Sequence, residues 1–174
     1  MNWVYEGRCW KFADNLGIDS DIMPLRFALA RETRPEVLRE HVMEAIEPEF
    51  HRKVAPGDII VAGKRFGQGN PHIYGFIGIH ALGLGLVVES IPRGSYRNAI
   101  NAGLPFLPRC PDVLAEVSEG DQLRVNFTTG EFSNVTRGST RTYDPLDASL
   151  LEIIAAGGWE PTLRRKLNPT TEAM

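Results

Sequence analysis

Ala55-Pro56-Gly57-Asp58-Ile59-Ile60-Val61-Ala62-Gly63-Lys64-Arg65-Phe66-Gly67-Gln68-Gly69-Asn70-Pro71 is the stretch whose reading decides the fold. Pro56-Gly57 is a turn signal. Ile59 to Ala62 is a short apolar run without polar alternation, the pattern of a strand covered on both faces. Gly63, Gly67 and Gly69 then stand among Lys64, Arg65, Gln68 and Asn70, so a backbone able to turn sharply is surrounded by polar and basic groups. Asn70-Pro71 has the form of an N-cap and a first helical residue, and it opens an apolar segment that runs to about Leu84. Strand, cationic loop and helix N-terminus in that order make an anion-binding layout, because unpaired N–H groups and the helix dipole converge there.

Working outward, Leu84 to Val88 is a second buried strand, and strand, helix, strand implies parallel pairing with a right-handed crossover. Glycines 75, 78 and 83 in the intervening helix are expected to allow close packing on the sheet, with His80 a packing residue. Ser90 to Arg97 is a second polar loop, and a short helix over Asn98 to Ala102 is closed by Gly103. Two polar loops that follow two buried parallel strands belong on one sheet edge, where such folds place ligands. Upstream, Trp3 to Phe12 is a first strand, and Ala13 to Pro24 is a loop whose carboxylates either bond the backbone or contribute to a site. Thr33 and Glu36 have capping-box spacing before a helical period through Ile46, which predicts a helix over residues 34–47 ended by Pro48. Downstream, Leu123 to Phe127, Gly130 to Val135 and Thr140 to Tyr143 alternate like antiparallel strands. Asp144-Pro145 is expected to cap a last helix that Gly157-Gly158 ends. The fold class is therefore α/β, a mixed sheet around a parallel βαβ core, with residues 1–167 as one domain and Asn168 to Met174 as a mobile tail.

The totals exclude several classes of function. The chain has 174 residues, 43% hydrophobic and 24% charged, which is ordinary globular usage. A net charge of -3 with no basic run gives no attraction to nucleic acid, and no segment approaches a membrane span in length. Cys9 and Cys110 are the only cysteines and have no metal-ligand spacing, so a reduced, cytoplasmic compartment is expected.

From roughly Gly7 to Leu167 the chain resembles the small subunit of 3-isopropylmalate dehydratase, the swivelling domain of the aconitase superfamily. The resemblance is carried by Asp19-Ser20-Asp21 before Pro24, His41 to Phe50, Gly57 to Gly69, Arg97 to Pro105 and Ala156-Gly157-Gly158. It implies a three-layer β/β/α fold that docks on a large subunit holding a four-iron iron-sulfur cluster. It also implies the removal and re-addition of water on a hydroxy di- or tricarboxylate. This chain has no cysteine set for a cluster and would bind none itself. The departure falls at the reacting loop. Where the dehydratases continue Ser-Ser-Arg-Glu-His, with a serine as base and an arginine on a substrate carboxylate, this chain has Asn70, Pro71, His72, Ile73 and Tyr74. An altered substrate is therefore expected.

Dehydration needs a base for the carbon-bound proton and cations for the carboxylates. His72 and Asn70 are the candidates for catalysis: imidazole exchanges protons near neutral pH, and a helix end would favour its neutral form. Arg26, Lys64, Arg65, Gly69, Arg93 and Ser95 are the candidates for substrate binding. Pro92 and Gly94 fix the backbone at Arg93, and Ser95 or Ser20 could stand in for the lost hydroxyl. Two rival readings stay open: a cluster-dependent lyase or isomerase with different chemistry, and a non-catalytic carboxylate-binding or regulatory module.

Overall fold

The computed structural model describes residues 3–167. In chain order the elements are β1 (Val4–Lys11), α1 (Leu25–Leu29), α2 (Pro35–Leu38), α3 (Phe50–Lys53), β2 (Ile59–Ala62), α4 (Tyr74–Ala81) and β3 (Gly85–Val88). Then follow α5 (Arg93–Asn101), β4 (Phe106–Leu107), β5 (Gln122–Asn126), β6 (Glu131–Asn134), β7 (Ser139–Thr142), α6 (Ala148–Ala155) and α7 (Trp159–Leu167). A π-helical turn over Ile18–Ile22 lies between β1 and α1.

One mixed sheet carries the fold, in the order β4-β3-β2-β1-β5-β6-β7. β1, β2, β3 and β4 run parallel, while β5, β6 and β7 extend the sheet antiparallel from the other side of β1. The unalternating run in β2 is explained by two cores. Ile60 and Ala62, with Leu86 and Val88 of β3, pack under the helices among Phe76, Ile79 and Ile100. Ile59 and Val61, with Val87, face the antiparallel half through Leu123, Val125, Phe127 and Phe132. Helices, parallel strands and antiparallel strands thus form the three layers.

Several elements differ from the sequence expectation. The helix expected over residues 34–47 ends early: α2 passes into a 3-10 turn at Arg39–His41, Val42 is extended and Met43 takes a left-handed φ of 57°. Thr33 does not cap it, because Arg34 is the N-cap residue. Glycines 75 and 78 do permit close approach, but not to the sheet. A Cβ on Gly75 would lie 2.7 Å from Ile22, and one on Gly78 would lie 2.6 Å from Val42. His80 is exposed rather than packed. The last helix starts at Ala148 behind Asp147, not at Asp144-Pro145, and α7 follows Gly158 where no element was expected. The expected tail, Asn168 to Met174, lies outside the described residues.

Asp58, buried in the turn before β2, ties that turn to β1. Its carboxylate accepts from the Arg8 amide at 2.8 Å, the Trp10 indole N–H at 3.0 Å and the Ala55 amide at 3.0 Å. An Asp58→Ala change leaves these donors without partners inside the protein and is expected to cost about 3 kcal/mol of stability, read as a lowered midpoint in urea. A midpoint unchanged within error would show that water replaces the carboxylate.

Candidate functional site

The polar loops after β1, β2 and β3 meet at one sheet edge, as the parallel order requires. The Phe66 amide donates to the Ser90 carbonyl at 3.1 Å and the Arg65 amide to Ser90 Oγ at 2.9 Å. The β1 and β2 loops are stitched more extensively. Asn15 N–H reaches the Lys64 carbonyl at 2.7 Å, Gly67 N–H reaches the Leu16 carbonyl at 2.9 Å, and Ile18 N–H reaches the Gln68 carbonyl at 3.0 Å. These bonds set the π-helical turn of Ile18–Ile22 against the end of the glycine-rich loop.

Two carboxylates of that turn divide the roles that the sequence left open. Asp21 Oδ2 accepts from the Gly17 amide at 2.7 Å and from Ser20 Oγ at 3.2 Å, a local structural use. Asp19 instead faces His72 across the loops, with Nδ1 at 2.7 Å from Oδ1 and 2.9 Å from Oδ2. An ionised carboxylate only accepts, so Nδ1 carries a proton, and in the neutral tautomer that this fixes the lone pair is on Nε2. Among the described residues Nε2 has no hydrogen-bond partner. Both side chains are partly exposed, His72 at 30% and Asp19 at 24%. The pair is therefore reachable from solvent.

His72 does not sit in the first turn of a helix. α4 begins at Tyr74 with Ile73 as N-cap, and the Asn70 carbonyl instead accepts the His72 amide at 2.9 Å, closing a tight turn. Asn70 is accordingly no helix cap; it is exposed, and with Gly69, Gln68, Asp19 and Ser20 it lines an open depression of about 510 Å³. A neighbouring depression of about 600 Å³ shares Asp19 and Ser20 and includes Arg26. His72, Asn70, Gly69 and Arg26 are thus gathered around Asp19.

The remaining candidates are placed differently. Ser95 is buried and donates to the Gly67 carbonyl, so it anchors the loop rather than meeting a ligand. Ser95 and Arg93 belong to α5, which starts five residues before the expected helix and so converts the expected polar loop into a first helical turn. Arg65 is left-handed, with φ 55°, and its Nε donates to Asn15 Oδ1 at 2.7 Å. Lys64 and Arg93 are exposed and line neither depression, and among the described residues their side chains have no ion-pair partner. Asp19 was absent from the residues singled out for catalysis or binding; its signal was the Asp19-Ser20-Asp21 triplet before a proline.

The residues do not fit a metal cluster. Burial, then the Glu119 and Asp121 charges, push the Cys9 thiol up to about 12, and burial pushes Cys110 up as well. Protonated thiols are poor ligands. Among the described residues no group of three or more His, Cys, Asp and Glu side chains could hold a metal ion. No helix there is long and apolar enough to cross a membrane.

α5 also holds the loop that bears His72. Asn98 Nδ2 donates to the Pro71 carbonyl at 2.8 Å, and a Cβ on Gly94 would lie 2.6 Å from Pro71 Cβ. Gly→Ala in a helix ordinarily stabilises by up to about 1 kcal/mol. Here the overlap is expected to reverse the sign, so that Gly94→Ala costs about 1–2 kcal/mol and shifts the His72 ring resonances. A stabilised variant with unmoved resonances would show that Pro71 is free to yield.

The chain is similar over nearly its whole length to proteins of one kind. It is 42% identical over 168 residues to the isopropylmalate/citramalate isomerase small subunit of Methanocaldococcus jannaschii, covering 96% of this chain and 98% of that one. It is 43% identical over 155 residues to the 3-isopropylmalate dehydratase small subunit of Heliobacterium modesticaldum, covering 88% and 91%. A crystal structure of 3-isopropylmalate dehydratase from Methanocaldococcus jannaschii superposes with a TM-score of 0.85 at 32% identity, covering 98% of this chain and all of that one. No family profile matches the sequence.

Proposed function

The chain belongs to the family of isopropylmalate dehydratase small subunits, which are hydro-lyase subunits, and from that membership we propose that His72, aligned by Asp19, moves the proton in this hydro-lyase. The observation that carries the assignment is the bidentate contact of His72 Nδ1 with Asp19 at 2.7 and 2.9 Å. A base must have a lone pair in a fixed direction within reach of the proton it removes, and a carboxylate on the other ring nitrogen supplies that. The geometry is that of a base held by an orienting acid, the second half of a catalytic triad. Ser20 is less suited, since its hydroxyl serves Asp21 and unassisted serine is a weak base.

The relatives named small subunits imply a large subunit as partner. We take the four-iron iron-sulfur cluster to reside there, since no donor set among the described residues suits it; the cluster would supply a Lewis acid for the departing hydroxyl. The part of this chain is to hold the substrate's carboxylates and to handle the proton. Arg26, beside Asp19 and Ser20, receives one carboxylate. Asn70 and the Gly69 amide line the adjoining depression, where no arginine corresponds to the one in the dehydratase motif. Lys64 and Arg93 line neither depression and would act on an anion only through long-range potential. The substrate class is a malate-type hydroxy dicarboxylate, as the relatives' names, isopropylmalate and citramalate, suggest for those proteins.

The test is turnover of 3-isopropylmalate and citramalate by the chain co-purified with its large subunit, followed by the absorbance of the unsaturated product. His72→Ala is expected to lower kcat by about a hundredfold with assembly intact, and Asp19→Asn by about tenfold. Unchanged kcat in His72→Ala would remove the imidazole from the reaction.

A further inference from the structure

A second charged cluster stands at the same edge, formed by Arg26, His41 and Glu44. Both oxygens of Glu44 are engaged: Oε1 accepts from Arg26 Nη2 at 2.8 Å, and Oε2 faces His41 Nδ1 at 2.6 Å. Arg26 Nη2 lies 3.3 Å from the same His41 nitrogen. With an ionised carboxylate as acceptor, Nδ1 is a donor, so the carboxylate and not the imidazole orients the guanidinium. Burial alone would raise the Glu44 carboxyl; the hydrogen bonds from His41 and Arg26 outweigh it and hold the group below the usual carboxylate range. Phe27 completes the cluster, with the His41 ring 4.7 Å from its own and Arg26 Cζ 4.6 Å over its centre.

These contacts use one amino group and one face of the guanidinium. The side chain is still 58% exposed, and it borders the depression that also contains Asp19, Ser20 and Glu44. A carboxylate beside a bound anion is unfavourable unless other groups neutralise it. Here two donors do so.

We propose that Glu44 is a positioning residue: it fixes the Arg26 guanidinium over this depression so that its uncommitted N–H groups meet a substrate carboxylate. The proposal rests on the assignment of Arg26 made above. Glu44 touches no reacting atom, so its removal changes binding and leaves the proton-transfer step alone.

The test uses the complex with the large subunit and two readouts. One is calorimetric binding of isopropylsuccinate, which lacks the hydroxyl that leaves; the other is KM and kcat for 3-isopropylmalate. Glu44→Gln is expected to raise Kd and KM by about fivefold with kcat within about twofold, and Arg26→Ala to raise them by about tenfold or more. The double variant should be no worse than Arg26→Ala alone, and Glu44→Asp should recover part of the loss. An unchanged or tighter Kd in Glu44→Gln, or additive effects in the double variant, overturns the role of Glu44. If Arg26→Ala raises Kd in the same series, the Arg26 assignment survives that result. An unchanged Kd in Arg26→Ala removes both.

Discussion

The functional edge depends on two loops that keep pairing after their strands have ended. β1 and β2 stop at Lys11 and Ala62, yet backbone bonds continue from Phe12 to Val61, from Asn15 to Lys64, from Gly67 and Gln68 to Leu16, and from Ile18 to Gln68. Each satisfies polar groups that a loop would otherwise leave to water. Together they bring residues 19 and 72, distant in sequence, within hydrogen-bond range. The continuation also has a conformational cost. Asn15 and Arg65 both take left-handed backbone angles, φ 65° and 55°, a few kcal/mol at most for the pair. Arg65 Nε and Asn15 Oδ1 then bond across the seam, so the two strained residues hold each other.

The sheet was legible in the sequence where one physical cause dominates. Ile59 to Ala62 lacks polar alternation because both faces are dry, and the antiparallel strands alternate because one of their faces is wet. The region after Thr33 misled for a related reason. Leu38 and Val42 are buried, and so is Met43 off the helical spacing, whereas Ile46 at the end of that spacing is exposed, so it recorded burial only in part. But the chain reaches those sites through a 3-10 turn and a left-handed methionine, not through continuous helix. Apolar spacing reports which residues face a core, and long-range packing decides the backbone that takes them there. The same applies to Gly75 and Gly78. Their small size was a visible signal, but whether Ile22 and Val42 or the sheet fills the space is a tertiary fact.

The site was partly legible. His72 and Arg26 were picked out by type and neighbourhood, and they do border the turn that bears Asp19. The helix N-terminus does not reach His72 as expected, since α4 begins only at Tyr74 and the Asp19 carboxylate is what meets the ring. Ser95 was misassigned because a hydroxyl in a presumed loop looks available. Once Arg93 to Asn101 is helix, the first turn of α5 faces the glycine-rich loop and the hydroxyl turns inward to Gly67. The clamp on Arg26 was invisible for a different reason. Glu44 and His41 fell inside the segment read as helix, where spacing of three suggests an ordinary surface pair.

The exchange of Ser-Ser-Arg for Asn70-Pro71-His72 admits two physical outcomes, lapse of the chemistry or its transfer to other groups. A lapsed loop would be shaped by stability alone. The His72–Asp19 pair is partly exposed, and exposed ion pairs contribute about 0–1 kcal/mol, less than the strain that the neighbouring left-handed residues introduce. Pro71 fits only because α5 has no Cβ at Gly94, and Asn98 then takes its carbonyl. The contacts of Pro71 hold the backbone next to His72, and Asp19 bonds the imidazole itself. A loop that spends conformational freedom on holding one side chain at an accessible edge fits the proton-transfer role proposed for that side chain better than a purely structural one.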